Sequence, residues 1–82
     1  MAAILPFVRD KNVFEPKDID AMSTALEEIS ERLELRDDSS ARAIMATRIV
    51  DLARAGERDA TRLRDRVLHE ADMAVRAGVS GS

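Results

Sequence analysis

A chain of 82 residues makes one domain at most and buries only about 60–65% of its unfolded surface. It has no cysteine and one histidine, which excludes a disulfide framework and a zinc site built on the usual ligands. The net charge of −3 is unevenly spread: residues 15–40 hold nine acids against three bases, and residues 41–82 hold eight arginines against six acids. That balance is wrong for a nucleic-acid-binding domain, which is usually strongly basic.

Residues 1–14 predict an apolar N-terminal arm. Ile4, Leu5, Phe7 and Val8 are apolar, and Pro6 forbids a regular helix among them. The opening MAAILPFV has no positive flank and too short an apolar run for a secretory leader. No stretch approaches the roughly 18 apolar residues of a membrane span. A cytoplasmic protein without a membrane anchor is therefore expected. Both aromatic residues, Phe7 and Phe14, lie in the arm. Two placements are open: the arm packs across its own helices, or it is exchanged onto a second subunit.

The first predicted helix covers about 16–35. Pro16 suits its first position, Asp18 favours the dipole in the first turn, and Phe14 and Ile19 are spaced as a hydrophobic staple. Ile19, Met22, Leu26, Ile29 and Leu33 repeat at alternating three- and four-residue steps, which marks one buried face. Leu35 falls off the stripe and is expected to plug the following turn. A second helix is predicted over about 40–55, capped by Ser39 or Ser40. Its inner face holds Ala41, Met45, Ile49, Leu52 and Ala53, with Ile44 on the border and Val50 on the far side. Apolar residues on two sides suggest a central helix or one that meets a partner. Gly56 is placed to close it in a left-handed conformation.

A third helix is predicted over about 60–76, capped by Asp59 and buried through Leu63, Val67, Ala71 and Ala74, with Leu68 and Val75 on the edge. Residues 78–82 form an expected flexible tail. The fold class is thus all-α: a three-helix bundle over 15–77 with an extended apolar arm.

Two segments carry a more specific signal: Phe14-Glu15-Pro16, and the run from Ala46-Thr47-Arg48-Ile49-Val50 to Gly56-Glu57-Arg58-Asp59, followed by Leu63-Arg64-Asp65. This layout resembles short uncharacterised helical proteins of rhizobia and related alphaproteobacteria. Those proteins often have proline after the aspartate of the Gly-Glu-Arg-Asp turn, where Ala60 stands here. The resemblance implies a helical architecture and a bacterial origin, and it carries no activity, cofactor or partner.

Four constellations could carry chemistry. Asp20, Glu27, Glu31 and Glu34 form an acidic ridge opposite the apolar stripe, suited to docking a basic partner or to simple solvation. His69 shares a helix face with Asp65 and Asp72, which reads better as a surface histidine than as a metal site or pH sensor. The Gly56 turn has the length of a helix-turn-helix connection, which would make Arg58, Arg62, Arg66 and Arg76 nucleic-acid contacts. Glu57 and Asp59 stand where phosphate contacts belong and argue against it. The glycines form no phosphate-binding loop, and no nucleophile elbow accompanies the serines. The expectation is a non-enzymatic protein-interaction module without a cofactor or metal. It is expected to be a homodimer whose candidate interface is Ile4, Leu5, Phe7, Val8 and Val50. A small DNA-associated regulator is the alternative.

Overall fold

The computed structural model describes residues 3–8 and 13–81, with side chains described as far as Met73. Three helices pack against one another: α1 (Pro16–Arg32), α2 (Ser40–Arg54) and α3 (Ala60–Gly81). A short 3-10 turn, Leu5–Phe7, precedes them and packs on α2. There is no strand among the described residues. The protein is an all-α three-helix bundle.

Each helix start is built from local hydrogen bonds that satisfy otherwise unpaired N–H groups. At α1, Asp18 reaches back so that its Oδ2 accepts from the Glu15 N–H at 3.1 Å. Pro16 fills the first position, where a missing N–H costs nothing. At α2, Ser39 is the cap, its Oγ accepting from the Arg42 N–H at 3.0 Å. At α3, Asp59 Oδ1 accepts from the N–H groups of Thr61 at 2.8 Å and Arg62 at 3.3 Å.

The core holds Ile19, Met22, Ala25, Leu26 and Ile29 from α1, Ala46, Ile49, Val50, Leu52 and Ala53 from α2, and Leu63 and Val67 from α3. Ala25, Ala46 and Ala53 are fully buried, and their small side chains let the helix backbones approach closely. Phe14, immediately before the cap of α1, and Ile19, its fourth residue, both enter this core, as a hydrophobic staple requires.

Three expectations need correction. The first helix ends at Arg32 rather than 35, so Leu33 leaves the stripe and is 41% exposed. The cause is Glu34, which adopts φ +54° and turns the chain. The Glu34 N–H then donates to Glu31 O at 3.3 Å and the Leu35 N–H to Ser30 O at 2.8 Å, a Schellman closure of the helix. Met45 is half-buried, not buried. The expected flexible tail from 78 is helix as far as Gly81; Ser82 and the side chains of Ala74 and Val75 lie outside the described residues.

The arm docks on its own chain. Ile4 and Val8 are buried in the core, with Ala3, Leu5 and Phe7 packed against it. The Ile4 N–H donates to the buried Ser23 Oγ at 3.1 Å, which pins the arm to α1. Val50, expected to face a partner, is buried, and it borders one cleft with Pro6 and Phe7. Of the expected interface, Ile4, Val8 and Val50 are thus buried within one chain, while Leu5 and Phe7 are half-buried against its core. Fully burying a side chain such as Ile4 contributes about 1.5–3 kcal/mol.

Candidate functional site

The Gly56–Asp59 turn has a structural job at every position. Gly56 takes φ +116°, and its N–H donates to Ala53 O at 3.1 Å while the Glu57 N–H donates to Leu52 O at 3.0 Å. These bonds close α2 as a second Schellman motif. Glu57 stands 3.9 Å from the Arg66 guanidinium, and Asp59 caps α3. Arg58 turns inward. Its Nε donates to Ala53 O at 2.8 Å, its Nη1 to the buried Asp18 carboxylate at 2.7 Å, and its guanidinium lies 5.0 Å from the centre of the Phe14 ring. The two segments that carried the sequence resemblance thus meet in space as one clasp, joining the start of α1 to the α2–α3 turn. Arg58 is consequently not free to meet phosphate. Of the other expected nucleic-acid contacts, Arg62 and Arg66 are exposed, and the side chain of Arg76 lies outside the described residues.

Asp20, Glu27, Glu31 and Glu34 are all exposed. Glu27, Glu31 and Glu34 border an open groove of about 900 Å³ with Ser30, Asp37 and Arg42. Asp20 does not border it. The arm supplies Ala3 and Pro6 to the groove's edge, a juxtaposition no sequence pattern could have indicated. Glu28, one residue from Glu27, behaves differently: it accepts from Arg64 of α3 at 2.9 Å. The neighbouring Asp65 carboxylate, followed by Glu28, raises the Arg64 pKa through hydrogen bonding.

His69 and Asp65 are exposed, and no group of three metal-ligating side chains exists among the described residues. No helix is long and apolar enough to cross a membrane among those residues.

A second groove, about 230 Å³, runs between α2 and α3 and is lined by Ile44, Met45, Arg48, Val67, Glu70 and Ala71. Val67 is 1% exposed and Ile44 57%. Arg48 and Glu70 bridge the two helices with paired bonds, Nε to Oε1 at 3.0 Å and Nη2 to Oε2 at 2.9 Å. Hydrogen bonding from Arg48 holds the Glu70 carboxyl below the ordinary carboxylate range, and the same bond raises the Arg48 pKa. Sequence reasoning placed Ile44 at the border of the inner face. It missed the groove because the Arg48–Glu70 register across two helices is a tertiary fact.

Comparison of the chain with protein-family models, curated proteins and solved structures finds no match.

Proposed function

We propose that this chain is a small non-enzymatic helical interaction module that works as a homodimer in the bacterial cytoplasm. The observation that carries this reading is the exposure of Ile44 on a helix whose Ile49, Val50 and Leu52 are already buried. Ile44 borders the α2–α3 groove together with Met45, Val67 and Ala71, which makes this the apolar surface the reading uses. The turn that offered the most distinctive sequence signal supports the same reading. Its glycine, arginine and aspartate are engaged in closing helices and tying them together, which accounts for them without a reaction.

Arg58, one of the arginines a DNA-associated role would use, is paired with Asp18, which favours the interaction-module reading. Sedimentation equilibrium tests the proposal. A dimer is expected at about 100 μM, the weak end of specific affinities being micromolar to millimolar. A strict monomer at that concentration overturns it.

A further inference from the structure

We draw no further inference here: the strongest candidate, the open groove beside the α1–α2 turn where the exposed Glu27, Glu31, Glu34 and Asp37 gather, is an acidic cluster with no second observation to say what it binds, since the unpartnered Ser30 Oγ and Arg42 Nε along it sit on half-buried side chains and are themselves closed to solvent.

Discussion

The two turns between helices close α1 and α2 by the same hydrogen-bond pattern, yet they use different residues at the decisive position. After α2, Gly56 occupies the left-handed site at φ +116°, and the next three residues pair, clasp and cap. After α1, Glu34 occupies it at φ +54°, followed by exposed Arg36, Asp37 and Asp38. A left-handed L-residue costs roughly 1–2 kcal/mol, which glycine avoids. The same hydrogen-bonded closure can therefore be reached with or without local sequence support. Where support is absent, the strain must be offset by packing elsewhere. The ion pairs follow the same division: the described bridges between helices join α2 to α3 through Arg48–Glu70 and α1 to α3 through Arg64–Glu28.

Breaking the clasp should have the largest effect. Arg58→Ala removes hydrogen bonds to the buried Asp18 and to Ala53 O. Bonds to charged groups contribute about 1.5–3 kcal/mol. Arg58 is itself partly exposed and Asp18 keeps the Glu15 N–H, so a loss of about 2 kcal/mol is expected, near the lower part of that range. Thermal melts should show the Tm falling by roughly 10 °C. A double-mutant cycle with Asp18→Asn isolates the pair, and coupling indistinguishable from zero would refute the clasp.

Exchanging the chemistry of the two left-handed sites sharpens the comparison. In Gly56→Ala the new Cβ meets nothing within 4 Å, so only backbone strain opposes it. That strain, roughly 1–2 kcal/mol or more, is partly offset by the reduced freedom of the unfolded chain, and a net loss of about 1 kcal/mol is expected. Glu34→Gly runs the other way: relieved strain less the added unfolded freedom leaves a gain of about 0.5–1 kcal/mol. Urea titrations read both signs; a destabilised Glu34→Gly would show that its side chain contributes more than its backbone costs.

The smallest effect concerns acid. The folded-state pKa of Glu70 is depressed by Arg48. Its contribution is therefore fully present above the ordinary carboxylate range and is lost as pH falls through the lower folded-state value. Melts taken across the acidic range should be slightly flatter for Glu70→Gln than for the unsubstituted chain. Equal slopes would show that this exposed pair does not couple to folding.

The parts of the fold written in periodicity were legible. Met22, Leu26 and Ile29 are buried where the stripe put them, Asp59 caps α3, and Gly56 ends α2. These depend on neighbours within a turn or two of the chain. Leu33 was misplaced because no glycine or proline announces the end of α1; Glu34 bends there without a compositional cue. Val50 pointed away from the inner face of its helix, and only the returning arm explains its burial. Arg58 looked like one arginine among several on a surface helix start. Its partner Asp18 lies 40 residues away, and a first-turn aspartate points in sequence only to the helix dipole. The groove beside Ile44 was equally out of reach, since it forms only when α2 and α3 lie in register.

The arm has a consequence in time as well as in space. It is synthesised before the helices that form its seat. Ile4 needs Ser23 of α1, and the 3-10 turn packs on α2, which is made later. Until α2 has emerged and folded, Ile4, Phe7 and Val8 have no complete surface to cover. A segment made before the helices is thus among the last to find its place, and it closes over a core assembled after it was made.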